Sequence, residues 1–468
     1  MKHIELSFDY TAGHANPLAL SLETARRLAV TCQHLAGPRP GGGVDGLRQV
    51  LRTLRCLQLD PINVVARSHL LVLWSRLGAY DPADLDTLLW EERWLFEYWA
   101  HAASVVLSED YPIHQVMMRG YPRGESAYAQ RVRDWLAAND ELRQHVLDRL
   151  REAGPLPPGA FDGHVSVAWQ SSGWTNGRGV ERMLDFLWLQ GHIMVAGRAG
   201  RTRHWDLAER RLPAWAAATP LPRREAVSLA AEHSLRALGV ARAADIERHF
   251  VRDRYPGLAE VLHELEHSGR ILPAEVEGGQ ERWYVHRDAL GLLEQDWQPR
   301  TTLLSPFDNL ICDRARTERL WGFEFRTEMY VPKHKRRYGY YIMPVLHGER
   351  LVGRLVPRLD RRRAVLEIEG VFPEPGFPGD EASAGAVGAA VAELAAFAGA
   401  REVSYADTIS APWRSGHGSI GPDARHGSVS PDARRGSVSP DARHGSVSPD
   451  ARRGSVGPDA GPTALLRT

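Results

Sequence analysis

"LQGHIMVAGRAGRTRHW", residues 189–205, and "HSGRILPAEVEGGQERW", residues 267–283, are two passes of one pattern. In each, Gly-x-Ile follows a helical stretch, a glycine turn follows the first strand, and a tryptophan returns on the second. Gly191 to Trp205 and Gly269 to Trp283 are both separations of fourteen residues. The stretches just before them, "VERMLDFLWL" and "LAEVLHELEH", space their apolar residues as helices do. A helix, a strand opened by Gly-x-Ile, a glycine turn and an aromatic return strand is the plan of a winged helix. Upstream of the second copy, "REAVSLAAEHSLRALG" and "AADIERHF" supply two further helices. Two unrelated helix–hairpins would not need matched spacing and a full helix count, so repetition is the better reading.

The N-terminal region fits a third, more diverged unit. "SLETARRLAVTCQHL" and "VDGLRQVLRTLRCL" are helical, Gln58-Leu59-Asp60 ends a short extended segment, and "NVVARSHLLVLWSRLG" is an amphipathic helix stopped by Gly78. "DPADLDTLLWEE" is a further helix, and "WLFEYWAHAASVVL" alternates as a strand. Residues 299–411 carry short alternating segments and a "HGE" turn, which predicts a small antiparallel barrel or meander. From Gly416 five nine-residue copies of the type "RHGSVSPDA" follow. Each offers a single Val or Ile, too little apolar surface to offset the entropy of ordering the chain. The expected fold class is α+β, mainly helical: three tandem winged-helix units over 15–120, 121–221 and 222–298, a β domain over 299–411, and a disordered repeat tail over 412–468.

The chain has 468 residues, 43% of them hydrophobic, with no signal-peptide pattern and no apolar run of membrane-spanning length. A cytoplasmic protein is expected. Cys32, Cys56 and Cys312 lie far apart with no Cys-x-x-Cys, which disfavours a zinc site, an iron–sulfur cluster or a disulfide framework; no metal or cofactor is expected. The formal charge is zero, but it is unevenly distributed. Residues 333–363 hold ten Lys and Arg against Glu349 and Asp360, whereas residues 81–97 hold six acids and one Arg. Without the tail the body has 50 basic and 53 acidic residues, so a polyanion must be met by a local patch. Only three residues are Lys, and Lys333 and Lys335 sit together in "KHKRRYGYY". A compact ammonium differs from a planar guanidinium, although chance clustering on a solvated edge would look the same.

Tandem winged helices suit nucleic acid, with helices in grooves and wings on phosphate. The same fold also serves as a protein-interaction module, so side chains must decide. Gln58 and Asp60 stand two apart in an extended segment, which turns both to one face. Asp60 before Pro61 is also a good helix start, with Asp60 as the N-cap. Arg67 and His69 follow on the next helix, where Arg67 is placed for phosphate or for a solvated face. Arg198, Arg201 and Arg203 flank the glycine turn of the middle hairpin. Lys333, Lys335, Arg336 and Arg337 are candidates for backbone contacts that position without reading sequence. His101 is a candidate for lining a base pocket, against the commoner fate of a hydrogen-bonded core histidine. Trp94, Trp99, Trp205 and Trp283 are expected in the core, and Asp308 with Arg314 as a structural polar pair.

"LQLDPINVVARSHLLVLWSRLG", "WLFEYWAHAAS", "GHIMVAGRAGRTRHWDLAERRLP" and "PFDNLICDRARTERLWGFEFRTEMYVPKHKRRYGYYIMPVL" together resemble the winged-helix DNA glycosylases of the AlkZ/YcaQ type, in order over roughly residues 15–400. The resemblance implies three tandem winged helices curved around DNA, a C-terminal β domain, and removal of alkylated purines including unhooking of interstrand crosslinks. It implies Gln58 and Asp60 as the catalytic pair, in the Gln-x-Asp form nearer the YcaQ branch. The chemistry suits them. A guanine alkylated at N7 is cationic and leaves as a neutral base, so an oxocarbenium-like sugar and an attacking water remain. An ionised Asp60 would stabilise that sugar and take the water's proton, and Gln58 would orient the water. A Schiff base needs an amine; no Lys neighbours the pair in sequence, which favours a monofunctional hydrolase. The expected partner is double-stranded DNA carrying alkylated or crosslinked guanine, met by a monomer with no membrane. The alternative, a winged-helix transcription regulator, would ordinarily show a dimer element, and no heptads are present. An inert scaffold would not need the intact Gln58–Asp60 pair.

Overall fold

The computed structural model describes residues 16–162, 165–169, 179–216, 220–251, 254–377, 379–410 and 413. The nonapeptide tail lies outside them. Among the described residues the chain is a mixed α+β protein with four sheets. No helix in them is long and apolar enough to cross a membrane.

The local signals of the first region act as expected. Ser21 caps the helix Leu22–Cys32 by accepting from the Thr24 amide, and Arg55, at φ 63, ends the helix Gly43–Leu54. The helix Ser68–Leu77 stops at Gly78, whose φ is 78. "WLFEYWAHAASVVL" is two strands, not one: Leu95–Trp99 turns at Ala100–Ala102 and returns antiparallel as Ala103–Leu107. Cys56–Gln58 pairs with the other edge of Ala103–Leu107, which makes a three-stranded sheet.

Both repeated hairpins form. The helix Gly179–Leu189 leads to Ile193–Ala199 and Thr202–Leu207, a two-stranded sheet. The helix Leu258–His267 leads to Ile271–Val276 and Trp283–His286. The pattern needs glycine where helix turns into strand: Gly191 and Gly269 have φ of 74 and 66, a region that costs other residues dearly. At Gly191 space is also short, since a Cβ would come within 2.5 Å of the Met118 sulfur. Trp94, Trp205 and Trp283 are buried, and Trp99 packs half-buried on the core.

The C-terminal region departs from an antiparallel meander. Thr301–Leu303, Met343–His347, Arg350–Asp360 and Val365–Pro373 run antiparallel, with the "HGE" turn joining the second and third. Glu402–Tyr405 then adds parallel to Val365–Pro373, after a crossover through the helix Glu381–Phe397. Asp380 caps that helix on the Ser383 amide. A parallel strand cannot be reached by a tight turn, so a crossover element is required. Residues 328–342 are not strands but short turns, Glu328–Tyr330 and Lys333–Lys335, followed by irregular chain.

One apolar core joins Leu47, Leu51, Leu57 and Trp74 near the N-terminus to Leu303, Met343, Leu366 and Leu394 of the C-terminal region. That packing sets residues 56–60 against a loop some 270 positions later.

Candidate active site

The strand Cys56–Gln58 is extended by one bond, from the Leu59 amide to the Ala103 carbonyl at 2.8 Å. There the chain leaves the sheet. Asp60 is not a helix cap: the next helix begins at Ser68, with Arg67 at the cap position. Its Oδ1 instead accepts the Ile62 amide at 2.8 Å, an Asx-type turn around Pro61. The intervening residues fail to coil because their backbone is taken elsewhere. Arg361 donates to the Asn63 side chain and the Val65 carbonyl, the Leu359 amide bonds the Val64 carbonyl, and Val65 is buried. Two adjacent valines do not favour a helix either.

Asp60 forms part of the wall of a cavity of about 530 Å³. Leu59, Pro61, Arg67 and His69 line it from the motif side, Glu181 and Asp185 from the helix Gly179–Leu189, and Arg198, Arg201, Arg203 and Trp205 from the middle hairpin. Six candidates spread over 144 positions of sequence thus meet: Asp60, Arg67, His69, Arg198, Arg201 and Arg203. Gln58 does not line this cavity. It is half-buried at the strand end, and its carbonyl accepts from Ser68 Oγ at 3.3 Å.

The hairpin arginines are held from behind. Glu97, 2% exposed, accepts Arg198 Nε at 2.5 Å and Nη2 at 2.6 Å, with Arg203 Nε at 3.7 Å. Arg203 also lies over the rings of Trp188 and Trp205. Glu97 carries a charge on a buried strand position, so it must be paired. The arginines are therefore oriented before any ligand arrives. Arg201, at the turn, is exposed and has no ion pair among the described residues.

His69 is buried, and burial with the nearby charges of Arg67 and Arg198 pushes its imidazole down to about 3. It is a neutral ring at physiological pH and not a phosphate-pairing cation. Burial raises the Asp185 carboxyl, opposed by Arg203 and Arg182.

The basic segment reaches the same place from outside. Tyr330 donates its hydroxyl to Asp60 Oδ2 at 3.1 Å. Its loop is cross-braced: Glu328 accepts the amides of Tyr338 and Gly339 at 2.9 and 3.1 Å, and Arg336 Nε donates to the Val331 carbonyl at 2.8 Å. Arg336 and Arg337 lie over Tyr340 and Tyr338, while Lys333, Lys335 and Arg337 are exposed.

Two expectations are corrected. His101 does not line the cavity; it is buried with Nδ1 3.5 Å from the Cys56 sulfur. Asp308 does not pair with Arg314. It takes both ends of Arg76 at 2.6 and 2.8 Å, where both side chains are fully enclosed, and Arg314 donates to Thr327. A buried carboxylate takes the partner that can be enclosed with it, and Arg314 sits on an exposed helix end. Sequence reasoning also passed over Tyr330, Glu97 and Asp185. The only available signals were tyrosines beside the basic run and a charge at an inward position of "LFEYW".

A family model described as DNA glycosylase AlkZ-like matches residues 51–397. Among solved structures, Streptomyces sahachiroi DNA glycosylase AlkZ is similar with a TM-score of 0.60 at 17% identity, over 84% of this chain and 100% of that one. At that identity the structural likeness speaks for the fold.

Proposed function

This chain belongs to the AlkZ-like DNA glycosylase family and is a DNA glycosylase; from that premise we propose that it hydrolyses the N-glycosidic bond of N7-alkylguanine in duplex DNA, including bulky and crosslinked adducts. The observation that carries the reading is a carboxylate, Asp60, in the wall of a 530 Å³ cavity whose other walls present four arginines and a neutral histidine. A cationic base leaves without a general acid, so the enzyme's task is the sugar and the water. Asp60 is the group that stabilises the oxocarbenium-like sugar and accepts the water's proton. Gln58, two residues earlier at the strand end and outside the lining of the cavity, is the group this reading assigns to orienting that water. Arg67 and Arg201 supply charge for the strand that enters. None of the cavity's walls is a lysine, which supports hydrolysis over Schiff-base chemistry.

In this reading the three helix–hairpin regions are winged helices over 15–120, 121–221 and 222–298, and Lys333, Lys335, Arg336 and Arg337 add phosphate contacts on the β domain. The Gln-x-Asp form supports a reading nearer the YcaQ branch. Crosslinked guanine resists entry into a tight pocket, so recognition need not involve full extrusion of the base.

The test uses duplex DNA with a single N7-alkylguanine and follows abasic product. Wild type should release the base, and Asp60→Ser, which keeps a short acceptor for the Ile62 amide, should lose at least ~100-fold in single-turnover rate. Near-normal turnover by a folded Asp60→Ser protein would remove Asp60 from the chemistry.

A further inference from the structure

Asp60 has two oxygens and two donors. The Ile62 amide takes Oδ1 at 2.8 Å and the Tyr330 hydroxyl takes Oδ2 at 3.1 Å. The first is local; the second comes from 270 residues away, on a loop whose backbone is fixed by Glu328 and Arg336. Yet Tyr330 is 61% exposed, one of four exposed large apolar side chains among the described residues. A braced loop that leaves a tyrosine ring in solvent while aiming its hydroxyl at one carboxylate is poor use of apolar surface for stability alone.

We propose that Tyr330 is a positioning residue for the glycosylase reaction, fixing the plane of the Asp60 carboxylate through Oδ2. The inference rests on the role assigned to Asp60 above. With one donor on each oxygen the carboxylate cannot rotate freely about its Cβ–Cγ bond, and each oxygen keeps a lone pair for the sugar or the water. Misplacement of a reacting group by an ångström costs orders of magnitude in rate, so a single donor at the open end of the carboxylate is worth having. Burial and the Asp60 charge push the Tyr330 phenol up to about 12, which keeps it a donor throughout the working pH range. The donor sits three residues before Lys333, so the same loop that would meet phosphate also sets the carboxylate.

Tyr330→Phe removes only the hydroxyl. The expected result is a fall of about tenfold or more in single-turnover rate at saturating enzyme, with DNA affinity within about twofold and an unchanged melting temperature. In an Asp60→Ser background the same substitution should add nothing, because Tyr330 acts through Asp60. A phenol carbon-13 titration supplies a readout that does not depend on activity: the Tyr330 signal should titrate near 12 in wild type and move down in Asp60→Ser. Full activity in Tyr330→Phe, or equal losses in both backgrounds, would overturn the inference while leaving Asp60 intact as the base. An active Asp60→Ser protein would instead overturn the function proposed above.

Discussion

The two hairpins that share a fourteen-residue spacing live in different surroundings. The hairpin Ile271–Val276 and Trp283–His286 is absorbed into a sheet. Ile271–Val276 pairs in parallel with Leu18–Leu20, and Trp283–His286 pairs with Val240–Ala241, so both edges are covered. The middle hairpin forms a sheet of its own two strands, with a single antiparallel bridge from Leu156 to Trp205 on one edge, and presents its turn to the cavity. Their arginines differ accordingly. Arg282 pairs with Glu266 of the helix just before it and is 59% exposed. Arg198 and Arg203, directly opposite each other in register, share a carboxylate that belongs to a different sheet. The repeated pattern specifies a backbone, and what covers the hairpin's edges decides whether its charges are surface or site.

The strongest test of that contrast removes the carboxylate behind each hairpin. Glu97→Gln leaves Arg198 and Arg203 facing each other beside a neutral amide, with Asp185 the remaining acidic group that acts on Arg203. A loss of about 2–3 kcal/mol in stability is expected, in the range for bonds to charged groups, together with at least ~tenfold in glycosylase rate as the cavity wall shifts. Glu266→Gln, whose partner is mostly solvated, should cost about 1 kcal/mol or less and leave the rate alone. Equal losses in the two proteins would mean that the hairpins are equivalent.

Acid tests the same cavity more gently. His69 titrates near 6.5 when unfolded and near 3 when folded, with burial the main cause and Arg67 and Arg198 adding to it. Above pH 6.5 the ring is neutral in both states and adds no pH dependence. Below it the unfolded chain takes up a proton that the folded chain refuses, so stability falls by about 1.4 kcal/mol per pH unit until pH nears 3. His34, His114 and His249 are pushed the same way by burial, to about 4, 4 and 3. Nitrogen-15 spectra should show a neutral His69 at pH 5, and His69→Gln should melt with a shallower acid slope. A protonated His69 at pH 5 would show that the ring is not enclosed in this wall.

How far these contrasts were legible in sequence follows from the range of the interactions. The hairpins, their glycines and their tryptophans are local features with fixed spacing, and they form where that spacing puts them. The arginine cluster at the middle turn and the Gln-Leu-Asp segment were visible for the same reason. The bonds that arrange the site are long-range: Tyr330 to Asp60, Glu97 to Arg198, and Arg76 to Asp308 each join residues that no periodicity relates. The Asp60-Pro61 start misled because cap chemistry and Asx-turn chemistry use the same carboxylate, and the C-terminal sheet claimed the following backbone. The helix Glu381–Phe397 was missed because Ala, Gly and Val surround it on nearly every side, which leaves little contrast between faces to read.

The smallest expected effect is also the sharpest separation of the two hairpins. Arg201 stands exposed at the middle turn with no ion pair among the described residues, beside the cavity. Arg282 stands exposed on the third hairpin with its charge already answered by Glu266. If the middle turn meets the DNA backbone, Arg201→Ala should lower the slope of log affinity against log salt by about 0.9, the contribution of one phosphate contact on duplex DNA. The loss should be the same for damaged and undamaged duplex, because a phosphate contact carries no information about the base. Arg282→Ala should leave both slope and affinity unchanged within error. The melting temperature should hold in Arg201→Ala, and in Arg282→Ala it should fall by no more than it does in Glu266→Gln, which breaks the same pair. A shallower slope in Arg282→Ala with none in Arg201→Ala would place the DNA across the absorbed hairpin and away from the cavity, and the contrast drawn between the two copies would fail.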